Sequence, residues 1–334
     1  AEQGDNQSMK AIVNPAPATL EYRELPMPIP GAGMVRIRTA VTGICATDLE
    51  MISGWKRTGF PSIPGHEWSG IVDAAGGDVD AALVGKPCVA ENVLSDGGEV
   101  GFEHPGGYSE YFLTEAKNVH CLPSGFDLAA AALIEPLAVC VRGITRLSVA
   151  DTRAAVIIGD GPIGLCMIPL LRKKGITRIL CLGGRQARLT LAAELGASVT
   201  MNYHNIDNDV PAAVGKALGV PCMNVIEASG SASAMTTAFA IAAPGAKVLV
   251  IGDYNETRAN FCWNMLLHRE LSIIGSNASA GAWDEAVLLA TLGDIHLERL
   301  ISHRYKPEEY PEAIASLNTS RDVVKVILDR RVNN

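Results

Sequence analysis

The sequence lacks the features that mark several large functional classes. No apolar run approaches the ~20 residues needed to cross a bilayer, and the polar start AEQGDNQS lacks the charged-then-apolar order of a signal peptide. The 28 Lys and Arg residues and 36 acids give a net charge of -8 without long blocks of one sign, which argues against a nucleic-acid or anionic-membrane partner. We therefore expect a small-molecule partner.

Paired cysteines are also missing. The eight cysteines are scattered singly, with no CxxC pair and no regular framework, which predicts free thiols in a reducing cytoplasm. With 334 residues, 48% of them hydrophobic, the chain has a globular composition and is long enough for two domains. Met9, which opens MKAIV, is the expected native start, so the first eight residues are left out of the fold prediction.

Hydrophobic patterning divides the rest of the chain into two kinds of segment. From about residue 10 to 125, short β-type runs alternate with Gly and Pro clusters such as MPIPGAG, which predicts an antiparallel, barrel-like β domain. From about 150 to 276, six apolar strands alternate with helical segments: AAVIIG, RILCLG, SVTMNY, MNVIEAS, KVLVIG and LSIIGS. Buried strands separated by helices predict a doubly wound parallel sheet. The predicted fold class is α/β, with domains 9–148, completed by 277–334, and 149–276.

A glycine-rich turn follows the first of these strands. GDGPIG places Gly159, Gly161 and Gly164 in the spacing G-x-G-x-x-G, directly before a helical segment. Glycines allow a tight turn and let the backbone approach a pyrophosphate at the helix N-terminus. We predict that this turn, which includes Pro162 and Ile163, binds a dinucleotide; a turn that only packs the helix against the strand is the alternative.

The end of the next strand indicates which dinucleotide binds. NAD-binding units carry an acid there, about 20 residues past the turn, which accepts a hydrogen bond from the adenosine ribose. Here that position is Gly183, followed by Gly184 and Arg185. The missing carboxylate and the guanidinium fork favour a 2′-phosphate, so NADP(H) is predicted to bind in preference to NAD(H). Alternatively, Arg185 opens the next helix with its head in solvent.

Three distant segments supply residue types that bind zinc. GICATDLE contains Cys45, GHEWSG contains His66, and LIEPLAV contains Glu135 in otherwise apolar surroundings. A carboxylate in such a run is costly unless it is paired or bound to a metal. One thiolate, one imidazole and one carboxylate form a catalytic zinc set that keeps a fourth position open.

Glu67, which follows His66, would bring a second carboxylate to this site. A thiolate and one carboxylate already neutralise Zn²⁺, and Glu67 would leave the site at -1. We therefore predict Glu67 as an alternate ligand or as a residue that supports the ligands. A salt bridge or hydrogen bond that holds its loop is the alternative.

Taken together, these motifs resemble those of the zinc-dependent medium-chain alcohol dehydrogenases over nearly all of residues 9–330. GICATD resembles the family segment G-x-C-x-[ST]-D, GHEWSG resembles GHE-x-x-G, LIEPLAV resembles the EPL of the polyol dehydrogenase branch, and GDGPIG resembles the cofactor turn. The resemblance implies a GroES-like β-barrel catalytic domain that carries zinc and a Rossmann domain that carries the nicotinamide. The implied activity is the reversible oxidation of an alcohol to a carbonyl.

Three further features refine what the resemblance implies. The segment ENVLSDGGEVGFEHPGGYSEYF contains no cysteine where many members bind a structural zinc, so one catalytic zinc per chain is expected. The usual histidine five residues after the metal cysteine is Glu50 here, as in the family's glucose dehydrogenases. Tyr203 matches a tyrosine that NADP-dependent members place beside the 2′-phosphate.

The expected catalytic residues are Thr47 and Glu50. Thr47 is expected to relay a proton, because its hydroxyl has no useful base pKa of its own. Glu50 would receive that proton or bind a second substrate hydroxyl; a solvent-facing acid is the alternative. Because carboxylates accept strongly from hydroxyls, we expect the substrate to be a secondary alcohol of a sugar or polyol.

Two predictions concern the last Rossmann strand, LSIIGS. Asn277, just after it, is expected to face the nicotinamide or the substrate. In this family the matching strand commonly pairs with its twin in a second chain, so we expect a homodimer or homotetramer. The rival functions are a threonine- or inosamine-type dehydrogenase of an amino alcohol or cyclitol, and a non-catalytic NADPH-binding protein on the same fold.

Overall fold

The chain divides at Glu135 and again at Trp283 in a computed structural model that describes residues 7–332. The first unit contains the described residues up to Glu135 together with those from Trp283 onward, and the second runs from Pro136 to Ala282. Of the eight residues before Met9, the expected native start, the structure describes Gln7 and Ser8, and the other six lie outside the described residues. Within residues 7–332, no helix combines the length and the apolar character that crossing a membrane requires.

Antiparallel strands dominate the first unit, in agreement with the short β-type runs. Its strands are β1 (Ser8–Ala16), β2 (Thr19–Pro26), β3 (Met34–Ile44), β4 (Trp68–Ala75), β5 (Pro87–Ala90), β6 (Tyr111–Glu115), β7 (Val119–Cys121), β14 (Ile301–Tyr305) and β15 (Lys325–Asp329). Seven of them form one sheet, in the order β14-β15-β3-β4-β5-β7 with β6 also paired to β3. β1 and β2 form a separate pair.

β3 organises this sheet because it pairs with three other strands. It is antiparallel to β4, β6 and β15, so the last strand of the chain lies beside the strand that leads to Cys45. The helices of the unit are α1 (Ala46–Ser53), α2 (Leu128–Ala132), α9 (Trp283–Thr291) and α10 (Tyr310–Thr319). Helix α3 (Ile134–Leu147) begins in the first unit and continues into the second.

The second unit contains all six of the predicted apolar strands. They are β8 (Ala154–Ile158), β9 (Arg178–Gly183), β10 (Val199–Asn202), β11 (Asn224–Glu227), β12 (Lys247–Val250) and β13 (Ser272–Gly275). The helices between them are α4 (Pro162–Lys173), α5 (Gln186–Glu194), α6 (Val210–Leu218), α7 (Ala232–Ile241) and α8 (Asn264–Arg269). All the pairs are parallel, in the order β10-β9-β8-β11-β12-β13. This is the dinucleotide-binding order 3-2-1-4-5-6.

Each unit has its own hydrophobic core. In the second unit, buried side chains of β8, β9, β11 and β12 pack against α6 and α7, with Val156, Leu180 and Phe239 among them. In the first unit, one cluster lies under β1 and β15 and another lies between β3, β4 and β5. The mixed α/β class with a β-rich domain and a parallel Rossmann-type sheet is therefore confirmed.

Candidate active site

The end of β3 and the start of β4 bring three of the four predicted metal ligands together. Cys45 follows β3 and precedes α1, while His66 and Glu67 directly precede β4. One potential ligand atom of each residue lies within 4.8 Å of those of the other two. The antiparallel pairing of β3 with β4 produces this proximity, because the Gly43 amide donates to the Glu67 carbonyl at 2.7 Å.

A fully buried carboxylate orients two of these groups. Asp48 Oδ1 lies 3.1 Å from His66 Nδ1, and Asp48 Oδ2 accepts a hydrogen bond from the Cys45 amide at 2.9 Å. Burial alone would lower the His66 pKa, but Asp48 and Cys45 together raise that pKa well above its usual value. Contact through Nδ1 leaves Nε2 to bind a metal, with the carboxylate fixing the ring orientation.

Glu67 is engaged by a buried lysine that the sequence analysis did not identify. Lys325 Nζ donates to Glu67 Oε1 at 2.8 Å and to Oε2 at 2.7 Å. Both side chains are almost completely buried, with 2% of Glu67 and 4% of Lys325 exposed. Gly43 makes room for the carboxylate, since a Cβ there would lie 2.3 Å from Glu67 Oε2. The salt bridge considered as an alternative for Glu67 is therefore present.

Glu135 lies in the first turn of α3 and is not among the three residues grouped within 4.8 Å. It still interacts electrostatically with them. Burial raises its pKa to about 7, with Glu67 and Asp48 also raising it, while His66 and Lys325 lower it.

The predicted catalytic residues lie on α1, directly after the cysteine. Thr47 Oγ1 is 3.7 Å from Cys45 Sγ. Glu50 lies three residues later on the same helix and is partly exposed, and side chains at this spacing share a helix face.

An aromatic and charged layer covers the far side of His66. The Phe102 ring lies 4.9 Å from the imidazole, and the Arg57 guanidinium lies 4.3 Å from the Phe102 centroid. Arg57 in turn donates to Glu103 at 2.8 Å and to Glu99 at 2.7 Å.

The glycine turn of the second unit has the geometry that a pyrophosphate requires. Gly159 has φ +119°, and a Cβ at Gly164 would lie 2.0 Å from the Gly159 carbonyl oxygen, so neither position accepts a side chain easily. Gly161 caps the N-terminus of α4, and Pro162 and Ile163 form its first turn. A Cβ at Gly161 would have Arg188 Nη1, 4.0 Å away, as its nearest neighbour.

The end of β9 holds the residues that were predicted to choose the cofactor. Tyr203 lies against Gly184, where a Cβ would be 2.4 Å from its hydroxyl oxygen. Arg185 is exposed at the N-cap position of α5. This position is compatible with a contact to a 2′-phosphate and also with a side chain that only faces solvent. Asn277 is exposed two residues beyond β13.

Sequence analysis missed two charged residues at this end of β9. Asp160 Oδ2 accepts hydrogen bonds from the amides of Gly184 and Arg185 at 2.9 and 2.8 Å. Arg188 Nη1 lies 3.8 Å from Asp160 Oδ1. Burial lowers the Arg188 pKa and the positive charge of Arg185 lowers it further, while Asp160 raises it.

The metal-ligand cluster fits a zinc ion, and the glycine turn fits the phosphate of a dinucleotide. A thiol, an imidazole and a carboxylate are ligand types that zinc accepts, and those of Cys45, His66 and Glu67 converge within 4.8 Å. The turn presents the N-terminus of a twelve-residue helix, α4, where free N–H groups bind a phosphate.

Comparison with known proteins gives the family. Residues 31–124 match the alcohol dehydrogenase GroES-like domain, and residues 162–291 match the zinc-binding dehydrogenase domain. Relatives include a sorbitol dehydrogenase of Halalkalibacterium halodurans, 26% identical, and a galactitol 1-phosphate 5-dehydrogenase of Escherichia coli, 28% identical; each alignment covers 96% of this chain and 99% of the relative.

Solved structures agree with the sequence relatives. A putative zinc-binding dehydrogenase from Sinorhizobium meliloti, bound to NADP, has a TM-score of 0.91 and 26% identity over 97% of this chain and 99% of its own. An alcohol dehydrogenase from Escherichia coli CFT073, complexed with NADH, has a TM-score of 0.89 and 26% identity over 96% and 99%. The chain therefore belongs to the zinc-dependent medium-chain alcohol dehydrogenases, a family of NAD(P)-dependent oxidoreductases.

Proposed function

We propose that this protein reversibly oxidises a secondary alcohol of a sugar or polyol, with hydride transfer to NADP⁺. The observation that carries the proposal is the convergence of Cys45, His66 and Glu67 within 4.8 Å, beside the Thr47 hydroxyl. Cys45, His66 and Glu135 are the proposed zinc ligands, with Glu67 as an alternate. A zinc ion bound there supplies Lewis-acid polarisation, which lowers the pKa of an alcohol hydroxyl.

The charge of the surrounding residues supports this ligand assignment. Lys325 neutralises Glu67, so Cys45 and Glu135 remain to balance the two positive charges of Zn²⁺. Asp48 holds the His66 ring and the Cys45 backbone. These contacts fix two of the ligands before a metal arrives, which is the role of residues that support a metal site.

Thr47 and Glu50 provide the proposed path for the alcohol proton. The Thr47 hydroxyl accepts the proton from the substrate oxygen and passes its own proton onward, since it has no base pKa of its own. Glu50 lies one helical turn further along the same face of α1 and receives the proton at its carboxylate. The hydride leaves the carbinol carbon for the nicotinamide, and that chemistry belongs to the cofactor.

Carboxylates near the site favour a polyhydroxylated substrate. Glu50 can accept a hydrogen bond from a hydroxyl next to the one being oxidised, and an unbranched alkanol offers no such group. The relatives named above are a sorbitol and a galactitol 1-phosphate dehydrogenase, which supports the same substrate class.

Two arginines favour NADP(H) over NAD(H). Arg185 lies two residues beyond Gly183, the last residue of β9, which supplies no carboxylate, and Arg188 lies in the first turn of α5. Asp160 is the nearby acid, but its Oδ2 is held by two backbone amides and its Oδ1 faces Arg188. A 2′-phosphate would therefore meet more positive than negative charge. Both NADP and NADH occur in the related structures, and the ratio of the dissociation constants of the two cofactors tests the preference.

The remaining assignments follow the two units. We propose that the first unit is catalytic, with one zinc and no structural zinc, and that the second binds the cofactor, with Asn277 near the nicotinamide. β13 is an edge strand whose Ile273 is 41% exposed, and Trp263 and Leu267 of the α8 region are more exposed still. Such an edge favours pairing with a second copy, so we propose a homodimer or a tetramer of dimers. Free cysteines suit the cytoplasm.

A substrate panel tests the proposal. Sugars, polyols, amino alcohols and simple alcohols are assayed with NADP⁺ and with NAD⁺, before and after chelation of the metal. We expect turnover of polyols with NADP⁺ that is lost on chelation and restored by Zn²⁺. Activity that survives complete metal removal would contradict the mechanism. Cofactor binding without turnover of any alcohol would instead favour a non-catalytic NADPH-binding protein.

A further inference from the structure

Two cysteines outside the proposed active site lie directly opposite each other in the sheet of the first unit. Cys88 of β5 is paired in register with Cys121 of β7, and both are free thiols. The sequence separates them by a long segment and gives no CxxC spacing, so the pattern alone did not suggest a pair. Side chains at opposed positions of antiparallel strands point to the same face of the sheet.

Hydrogen bonds on either side show which kind of pair this is. The Leu122 amide donates to the Pro87 carbonyl at 2.8 Å, and the Glu91 amide donates to the Asn118 carbonyl at 3.3 Å. Hydrogen-bonded and non-hydrogen-bonded pairs alternate along an antiparallel ladder, so Cys88 and Cys121 form a non-hydrogen-bonded pair. The Cα atoms of such a pair are about 4.5 Å apart, within the roughly 4.4–6.8 Å that a disulfide spans.

The two thiols differ in their access to solvent. Cys88 is fully buried against Trp68 and Phe112, whereas Cys121 is exposed on β7, an edge strand of the sheet. Burial raises the Cys88 pKa, and the proximity of Cys121 raises it further. Cys88 is therefore shielded from external oxidants, while Cys121 can meet them.

We propose that Cys88 and Cys121 form a reversible disulfide when the protein meets a peroxide, with Cys121 reacting first and Cys88 resolving. In the first step the Cys121 sulfur attacks the peroxide, an S–O bond forms, the O–O bond breaks, and water or an alcohol leaves. In the second step the Cys88 thiol loses its proton and attacks that sulfur, an S–S bond forms, the S–O bond breaks, and water leaves. Two electrons pass from the thiols to the peroxide, and a dithiol reductant reverses the change.

The bridge closes a segment that contacts the proposed metal site. The Asn92 side chain, within that segment, donates to the His66 carbonyl at 2.7 Å, and the Phe102 ring lies against the His66 imidazole. The disulfide would therefore link the two ends of the segment 88–121, whose Asn92 and Phe102 contact His66. The site itself depends only on the β5–β7 register and does not rest on the proposed activity.

Peptide mapping of the full-length, zinc-loaded protein tests the proposal. The protein is treated with hydrogen peroxide, the remaining thiols are blocked, and digested peptides are analysed by mass spectrometry. We expect a bridged peptide joining Cys88 to Cys121, the loss of two of the eight thiols, an unmodified Cys45, and full reversal by dithiothreitol. A matched control is Cys262→Ser, which removes the other exposed cysteine and should leave the bridge unchanged.

Variants assign the order of reaction. Cys88→Ala should let Cys121 accumulate as a sulfenic acid that dimedone captures, whereas Cys121→Ser should leave Cys88 unreacted. The exposed-site variant, Cys121→Ser, keeps the test valid even where Cys88→Ala folds poorly. Dimedone capture of Cys121 in the unaltered protein with Cys88 still free, or a bridge between Cys121 residues of two chains, would overturn the proposal.

Discussion

Replacing Lys325 with methionine is the sharpest test of how the site is held together. The side chain pairs with Glu67 at 2.7 Å, and both are almost completely buried, so solvent screens the pair very little. Coulomb's law gives roughly 6 kcal/mol for unit charges at that distance with an effective dielectric constant of about 20. Desolvation offsets much of this in the intact pair, but removing one partner leaves a bare buried charge, which costs about 3–5 kcal/mol.

The expected result for Lys325→Met is therefore a folded-to-unfolded ratio lowered by roughly two to nearly four orders of magnitude, because about 1.4 kcal/mol is tenfold. The assay is urea unfolding of the first unit, followed through the fluorescence of Trp68, which is 2% exposed. The matched control is Lys117→Met. The Lys117 side chain pairs with Glu115 and is 64% exposed, so this substitution should cost under about 1 kcal/mol.

A double-mutant cycle separates the pair from other effects of the substitution. Glu67→Gln combined with Lys325→Met leaves no buried charge, so the double variant should be more stable than the sum of the single changes predicts. A Lys325→Met protein within about 1 kcal/mol of the unaltered one would refute the reasoning, and so would strictly additive single changes.

Three further predictions address the proposed zinc site, the proposed cofactor site and the Arg57–Phe102 contact. Cys45→Ser should lower kcat at least about a hundredfold and reduce bound zinc, while fluorescence titration shows NADPH affinity nearly unchanged; loss of both functions would indicate misfolding instead. Arg185→Ala should weaken NADP(H) binding roughly 10- to 150-fold, from 1.5–3 kcal/mol for charge-assisted hydrogen bonds, with little effect on NAD(H); equal weakening of both cofactors would contradict a 2′-phosphate contact. Arg57→Leu removes the cation that faces Phe102, so the free energy of unfolding should fall by at least roughly 0.5–1 kcal/mol; urea unfolding with an unchanged midpoint would exclude this contribution.

Local sequence patterns were sufficient to predict most of the second unit. Each strand from β8 to β13 is a short apolar run, and each lies between helical segments, so its identity follows from neighbouring residues alone. The phosphate turn was recognisable for the same reason, since Gly159 and Gly164 act within six residues of each other.

The sequence patterns did not predict which distant segments pair with each other. Lys325 is 258 residues from Glu67 in sequence, and the pairing of β3 with both β4 and β15 brings them together. A lysine inside the apolar run VVKVIL was the one available indication that a buried partner exists, because an unpaired lysine is rarely fully buried. Asp48 is part of the motif GICATD, but its contact with His66 depends on the pairing of β3 with β4, which the motif does not show.

The position of Lys325 has a consequence for biosynthesis. Cys45, His66 and Glu67 leave the ribosome long before Lys325 does, so the newly made part of the first unit carries a Glu67 carboxylate without its lysine partner while the second unit is still being translated. Folding of the first unit around Glu67 is thus penalised until β15, which carries Lys325 258 residues further along the chain, has been synthesised.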